Sequence, residues 1–218
     1  MVFKRASLCL AALAAALLTL AACGATASSI PATVTPEPEV ETPAYLGDLR
    51  GAVFDPPRPI SDFTFASTTG ESFTLSEHRG ELILIYFGYR SCPDFCPTTF
   101  AELKRVYAAL NEPADRLKIV FVTVDPERDT MDYLKPYVEF FHQDFIGVRE
   151  EGEGLQALMD QFGAVAEKRQ MSDSALNYLI DHTASLFLIG ADGRLQAQYL
   201  YGTDDADITH DLQIILEA

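Results

Sequence analysis

The chain has 218 residues, of which 48% are hydrophobic and 22% are charged, a composition that allows one folded domain with a sizeable core. Its formal net charge of −16 at pH 7 argues against nucleic acid as a partner and against attraction to anionic lipids. An acidic surface instead suits a protein partner that has a basic face. We find no internal repeat in the sequence.

The N-terminal residues have the pattern of an export signal. Lys4 and Arg5 precede an uncharged apolar run over residues 8–22, which is shorter than the about 20 residues that a spanning helix needs. The run ends at Leu20-Ala21-Ala22-Cys23-Gly24, which resembles the lipobox of bacterial lipoproteins. That resemblance implies cleavage before Cys23 and a diacylglyceryl group on its thiol. The alternative is an ordinary secretory signal with an incidental cysteine.

We therefore expect the chain to have three parts. Residues 1–22 are a cleaved signal peptide, residues 23–44 are an acylated Cys23 with a Pro/Thr/Glu-rich tether, and residues 45–218 fold as one domain. The lipid on Cys23 is expected to hold the domain at the extracytoplasmic (periplasmic) face of a bacterial membrane. Export leads to an oxidising compartment, where disulfides are permitted.

Apolar runs and turn residues predict the strands of the folded part. The predicted strands are 62–65, 72–75, 82–87, 117–124, 145–148, 184–189 and 195–201. The first two form an N-terminal β-hairpin with its turn at Gly70, and Asp192-Gly193 predicts a hairpin turn between the last two. Residues 164–174 are predicted to be an irregular polar loop.

The helical spacing of apolar residues predicts four helices. The first follows the two cysteines and ends near residue 110, and the other three cover 131–141, 155–162 and 204–216. Asp129 or Thr130 is expected to cap the helix at 131, and Pro136 is expected to kink or shorten it. The order β-α-β-α, then a β-hairpin, then α is the thioredoxin-like arrangement. We predict an α/β, thioredoxin-like fold with a central mixed sheet flanked by helices and an extra N-terminal β-hairpin.

Cys92 and Cys96 lie where the apolar strand 82–87 gives way to a helix. Residues four apart face the same side of a helical turn, and the positive end of the helix favours thiolate over thiol. Such a pair can form a disulfide or bind a soft metal ion. A purely structural disulfide would close a loop of only a few residues and so stabilise the fold little.

Three motifs, taken together and in this order, resemble those of the SCO/SenC family of copper chaperones. They are Gly88-Tyr89 before Cys92-Pro93-Asp94-Phe95-Cys96-Pro97, then Asp125-Pro126-Glu127-Arg128-Asp129-Thr130, and then Asp181-His182-Thr183. The resemblance covers nearly all of the folded part. It implies a metallochaperone that delivers copper to the CuA centre during cytochrome c oxidase assembly.

The resemblance also implies the ligands: Cys92, Cys96 and His182 binding one copper ion per chain. Two thiolates with an imidazole suit Cu(I) and can also hold Cu(II). The alternative for His182 is a histidine with an ordinary hydrogen bond. The resemblance places Asp125 near the copper as an outer-shell carboxylate, whereas Asp-Pro after a strand is also a common turn former. The other histidines, His78, His142 and His210, are predicted to be solvated.

Two functions remain open at this point. The first is delivery of copper to the copper-accepting subunit of cytochrome c oxidase by ligand exchange. The second is a thiol-disulfide oxidoreductase in which Cys92 attacks and Cys96 resolves. Periplasmic copper donors or thioredoxin-like reductants are further expected partners. The CxxxC spacing and the lack of proline after Pro136 favour the metal, because thioredoxin-type reductases carry CxxC and a cis-proline loop.

Overall fold

The computed structural model describes residues 42–111, 115–172 and 177–218. The predicted signal peptide, Cys23 and nearly all of the predicted tether lie outside these residues, so they remain predictions. Among the residues described, no helix is both long enough and apolar enough to cross a membrane.

The described residues form ten strands and four helices. The strands are β1 (Ala52–Pro59), β2 (Thr64–Ser67), β3 (Ser72–Thr74), β4 (Leu82–Gly88), β5 (Leu117–Thr123), β6 (Ile146–Arg149), β7 (Ala166–Gln170), β8 (Tyr178–His182), β9 (Leu186–Ile189) and β10 (Arg194–Tyr199). The helices are α1 (Phe95–Ala109), α2 (Met131–Phe141), α3 (Gly152–Phe162) and α4 (Asp205–Glu217), and short 3-10 turns cover Ala44–Asp48 and Leu75–His78.

Eight of the strands form one mixed sheet in the order β1-β10-β9-β4-β5-β6-β2-β3. The central strand β4 pairs in parallel with β5 and antiparallel with β9, and every residue of β4 is buried. A continuous apolar run is what a strand covered on both faces requires. The α/β fold with a central mixed sheet is therefore confirmed. The predicted N-terminal hairpin is present as β2 and β3, which extend the sheet beyond β6.

Aromatic packing joins the helices to this sheet. Phe100 of α1 stacks on Phe141 of α2, with ring centroids 4.7 Å apart, and contacts Phe121 of β5 at 5.1 Å. Helix α2 keeps its predicted bounds with Pro136 inside it, so the predicted shortening is wrong and the kink remains a prediction. Phe100 also meets the ring of Tyr86 in β4 edge to face, with centroids 6.2 Å apart, so α1 packs against both central strands.

Three strands, β1, β7 and β8, were not predicted. Residues 164–174 contain β7, which pairs antiparallel with β8 from Ala166 opposite His182 to Gln170 opposite Tyr178. The prediction of an irregular loop there is therefore wrong. Strand β7 is almost wholly exposed, so it lacks the apolar alternation that marks a strand. Strand β1 contains three prolines and pairs only with β10 at the sheet edge, where proline is tolerated.

Candidate metal centre

Three side chains that the sequence separates come together at one end of the sheet. Cys92, Cys96 and His182 each offer one ligand atom, and these atoms all lie within 4.8 Å of one another. His182 Nε2 is 3.6 Å from Cys96 Sγ and 4.0 Å from Cys92 Sγ. Neither thiol is in a disulfide. The structure thus brings together the three ligands that the family resemblance implies.

Different elements hold the three residues. Cys92 lies in the loop between β4 and α1, Cys96 is in the first turn of α1, and His182 is the last residue of β8. Cys96 is fully buried, whereas Cys92 is 7% exposed. A side chain at Gly88 would come within 2.8 Å of Cys96 Sγ, so the end of β4 needs a glycine for the thiol to fit.

The two thiols differ in their tendency to ionise. A hydrogen bond from Cys96 lowers the pKa of Cys92 far below its ordinary value, with further help from the backbone N–H groups of Cys96 and Asp94. Burial raises the pKa of Cys96, and the neighbouring Cys92 sulfur raises it further. The pair therefore holds one proton, with the thiolate on Cys92. A soft cation bound between the sulfurs replaces that proton and offsets the second negative charge.

The orientation of His182 suits a ligand. Its Nδ1 lies 3.1 Å from the carbonyl oxygen of Thr183, which assigns the ring proton to Nδ1 and leaves the Nε2 lone pair facing the sulfurs. The rings of Tyr86 and Tyr89 meet the imidazole edge to face, with centroids 6.2 and 5.7 Å away. These two aromatic rings pack against the imidazole and hold it beside the thiols.

Tyr86 also contacts the sulfurs directly. Its hydroxyl donates to Cys96 Sγ over 3.6 Å inside the core. Burial raises the pKa of Tyr86 well above its ordinary range, so the phenol stays protonated and remains a donor. The sequence does not reveal this contact, because a tyrosine inside an apolar strand has the same pattern as any core residue.

Asp125 is buried but makes its hydrogen bonds to two other residues. It accepts from the Tyr178 hydroxyl at 2.6 Å and from the Arg128 guanidinium. Arg128 in turn lies 3.7 Å from the Tyr178 ring centroid and donates to the Tyr178 carbonyl. Tyr178 begins the strand that ends at His182. Asp125 therefore anchors β8, and its side chain reaches the candidate ligands only through that strand.

Asp129, the second buried carboxylate of the same motif, supports the loop that carries the cysteines. It accepts from the backbone N–H of Arg90 at 2.9 Å and from the Thr123 hydroxyl at 2.7 Å. Thr130 occupies the N-cap position of α2, as one of the two predicted alternatives, but its side chain makes no capping hydrogen bond. Arg90, to which the sequence assigns no role, ties the cysteine loop to this carboxylate.

The other three histidines lie outside this group, as expected, but they are not solvated. His78 is 2.7 Å from Glu81 and stacks on Phe73, His142 packs against Tyr107, and His210 pairs with Asp211. All three are only partly exposed. The prediction of solvated side chains is therefore wrong for each.

An open cleft gives access to the histidine side of the site. It has a volume of about 530 Å³ and is lined by residues of β7, β8 and α3, among them Glu167, Asp181 and His182. The site is also slightly exposed at Cys92, which is 7% exposed. The ligand group is thus buried on the Cys96 side and reachable from the Cys92 and His182 sides.

Comparisons with known proteins agree with this geometry. The SCO1/SenC family model matches residues 51–217. The chain is 34% identical to an SCO2-like protein of Rickettsia felis over 147 residues, which are 67% of this chain and 72% of the relative. It is 31% identical to a putative copper-binding protein of Stutzerimonas stutzeri over 140 residues, which are 64% of this chain and 68% of the relative.

Solved structures are similar over most of the described residues. Apo Sco1 from Thermus thermophilus superposes with a TM-score of 0.67 and 32% identity, covering 78% of this chain and 97% of that one. Bradyrhizobium japonicum ScoI with copper bound gives a TM-score of 0.65 and 29% identity, covering 71% and 98%. With its sheet, its cysteine pair and its histidine in place, this chain belongs to the SCO1/SenC family.

Proposed function

We propose that this chain is a copper metallochaperone that delivers copper to the CuA centre during cytochrome c oxidase assembly. The observation that carries the proposal is the convergence of Cys92, Cys96 and His182 on one point. The family supports it, and the Bradyrhizobium japonicum relative has copper bound in its solved structure.

The donor set fits copper better than the commoner alternative, zinc. Two soft sulfurs and one imidazole nitrogen are the ligand types that select Cu(I). Structural zinc sites have four protein ligands, whereas the group found in the described part of the chain has three His, Cys, Asp or Glu side chains. We propose one copper ion per chain, bound as Cu(I) and also able to be held as Cu(II).

Delivery proceeds by exchange of ligands with the copper-accepting subunit of the oxidase. Cys92 is the ligand at the rim, whereas Cys96 is buried beneath it. An incoming thiolate therefore replaces Cys92 first and Cys96 last. Periplasmic copper donors are the partners that this scheme requires for loading.

A second function has an observation in its favour. The lowered pKa of Cys92 and the retained proton on Cys96 are what a nucleophilic and a resolving cysteine need. Such a protein is a thiol-disulfide oxidoreductase that reduces the cysteines of the copper-accepting subunit, and it needs a thioredoxin-like reductant.

We further propose that the lipid on Cys23 anchors the domain at the extracytoplasmic face of a bacterial membrane. Because the lipid, and not a spanning helix, anchors the domain in this proposal, attachment depends on the sulfur atom of Cys23. We expect Cys23→Ser to release the protein from washed membranes. A variant that stays in the membrane fraction contradicts the lipid anchor.

Transfer of copper tests the main proposal. The full-length chain, loaded with one equivalent of Cu(I), is mixed with the reduced copper-free oxidase subunit, the two proteins are separated, and the copper bound to each is measured. We expect copper to appear on the subunit as the chain loses it. In a second arm the metal-free, reduced chain is mixed with the subunit in its disulfide form. If no copper moves in the first arm and the chain reduces the disulfide in the second, the oxidoreductase function replaces copper delivery.

A further inference from the structure

An exposed apolar cluster lies directly beside the candidate metal centre. Phe95, Leu200 and Tyr201 are 43%, 63% and 44% exposed, and we call these three residues the aromatic patch. The Phe95 and Tyr201 rings meet edge to face with centroids 4.7 Å apart. Phe95 stands between the two cysteines in the sequence, so the patch is continuous with the loop that carries Cys92.

The fold holds this patch in place from two sides. Phe95 begins α1, and Leu200 and Tyr201 form the turn between β10 and α4. The ion pair between Arg105 of α1 and Asp205 of α4 links the same two helices. Two aromatic rings are therefore packed on each other yet left half in water, a costly arrangement that is typical of a surface used for binding.

Carboxylates surround the patch. Asp94 precedes Phe95, Glu102 lies two turns further along α1, and Asp204 and Asp205 begin α4. Burial raises the pKa of Glu102, the charge of Arg105 lowers it, and the charges of Asp205 and Asp204 raise it, so these groups are neighbours. Arg105 is paired with Asp205, which leaves Asp94, Glu102 and Asp204 as a net negative rim.

We propose that the aromatic patch is the docking surface for the copper-accepting protein, and that this protein presents an apolar side chain flanked by lysine or arginine. The inference rests on the proposed copper delivery. Cys92 is nearly buried and is the ligand proposed to exchange first, so a partner seated on the loop around it brings its thiolate to the right place.

The chemistry of the surface selects this occupant over two others. An apolar centre with a charged rim is the usual anatomy of a transient interface, and tyrosine is among its strongest anchors. A second copy of this chain would bring the same acidic rim against itself, and an anionic membrane would also be repelled. A basic partner is attracted, and such attraction raises the association rate.

The test measures the second-order rate constant of Cu(I) transfer from the full-length chain to the copper-accepting oxidase subunit. We expect Leu200→Ser with Tyr201→Ser to lower this rate constant by about tenfold or more. The matched control is Phe140→Ser on α2, because Phe140 is 79% exposed but lies outside the patch. Extraction of copper by a small chelator should be equally fast from all three proteins, which shows that the metal site is intact.

The charges are tested through the salt dependence of the same rate constant. We expect Asp94→Asn with Asp204→Asn to slow transfer at low salt and to flatten its dependence on ionic strength. Asparagine at 204 keeps the oxygen that caps α4. Glu77→Gln with Glu153→Gln removes the same charge from exposed sites elsewhere and should change the rate constant less.

Three results would overturn the docking surface. Wild-type transfer rates in the Leu200/Tyr201 variant would do so while leaving copper delivery intact. If the wild-type protein sediments as a dimer and the same variant sediments as a monomer, the patch binds a second copy of this chain instead. A wild-type protein that binds copper but transfers none would remove the delivery function, and the docking inference with it.

Discussion

Cys92 is the residue on which either chemistry of this protein depends. The hydrogen bond from Cys96 holds its pKa far below its ordinary value of 9.0, so the thiolate is present at neutral pH in the reduced, metal-free protein. Because a lowered pKa favours the thiolate, the charge is lost only when the pH falls into the acid range. Cys96 keeps its proton throughout, since burial raises its pKa.

This asymmetry predicts selective alkylation. We expect iodoacetamide to modify Cys92 at a rate that is nearly constant between about pH 6 and pH 8, with Cys96 modified far more slowly. Peptide mass spectrometry of the metal-free protein at several pH values measures both rates. A rate at Cys92 that rises about tenfold per pH unit over this range, as for an ordinary thiol, contradicts the shifted pKa.

Tyr86 is predicted to tune the buried sulfur. Tyr86→Phe removes the donor to Cys96, and one such hydrogen bond contributes about 1 kcal/mol. Because the bond favours the reduced form, its loss should lower the reduction potential of the cysteine pair by about 20 mV. Equilibration with a thiol-disulfide buffer measures the potential. Tyr199→Phe, at an equally buried tyrosine of β10, is the control, and equal potentials in the two variants would contradict the role of Tyr86.

At the scale of the elements, the position of His182 depends on the attachment of β8. Asp125 binds both Tyr178 at the start of that strand and Arg128 beneath it. Among the described residues β8 pairs with the exposed strand β7, and this buried carboxylate links the histidine strand to the end of β5. A second link is the hydrogen bond from the Ile180 backbone N–H to the Tyr89 hydroxyl.

Removing that link should affect both stability and copper binding. Asp125→Ala leaves the partly buried Arg128 without this carboxylate, and we expect a loss of about 3 kcal/mol in the free energy of unfolding by urea. Copper affinity, measured by competition with a chelator, should fall at least about tenfold because His182 is no longer held. The control is Glu127→Gln in the same motif, whose exposed pair with Lys168 contributes little to stability. Unchanged copper affinity in Asp125→Ala would show that β8 keeps its place without the carboxylate.

The elements also show what the sequence can predict. The apolar runs of β4 and β5 and the periodicity of α2 and α3 are strong signals because each element buries a defined face. Strand β7 gives no such signal, since four of its five residues are exposed, and β1 is obscured by its prolines.

The residues of the site also differ in how well the sequence predicts their roles. Cys92, Cys96 and His182 belong to motifs with a recognisable spacing, whereas their supports do not. Tyr86 is indistinguishable from a core residue in a strand, and Asp129 has the pattern of a helix cap. Their roles depend on which elements lie across the core from them, which sequence spacing alone does not specify.

At the scale of the whole molecule, the mixed sheet and the separate two-stranded sheet of β7 and β8 bring three distant segments together. The end of β4 supplies the cysteine loop, the end of β5 supplies the two buried carboxylates, and β8 supplies the histidine. The aromatic patch lies on the cysteine side of the candidate metal centre, and an open cleft lies on the histidine side. The acidic charge of the chain, −16 overall, favours a basic partner at this end.

Copper titration of the reduced protein tests the central claim most directly. Cu(I) is added to the full-length chain and to Cys92→Ala, Cys96→Ala and His182→Ala under a competing chelator. We predict one tightly bound ion in the wild type, a large loss of affinity in His182→Ala and no tight site in either cysteine variant. Undiminished binding by His182→Ala, or more than one tight ion in the wild type, would contradict a single site built from these three residues.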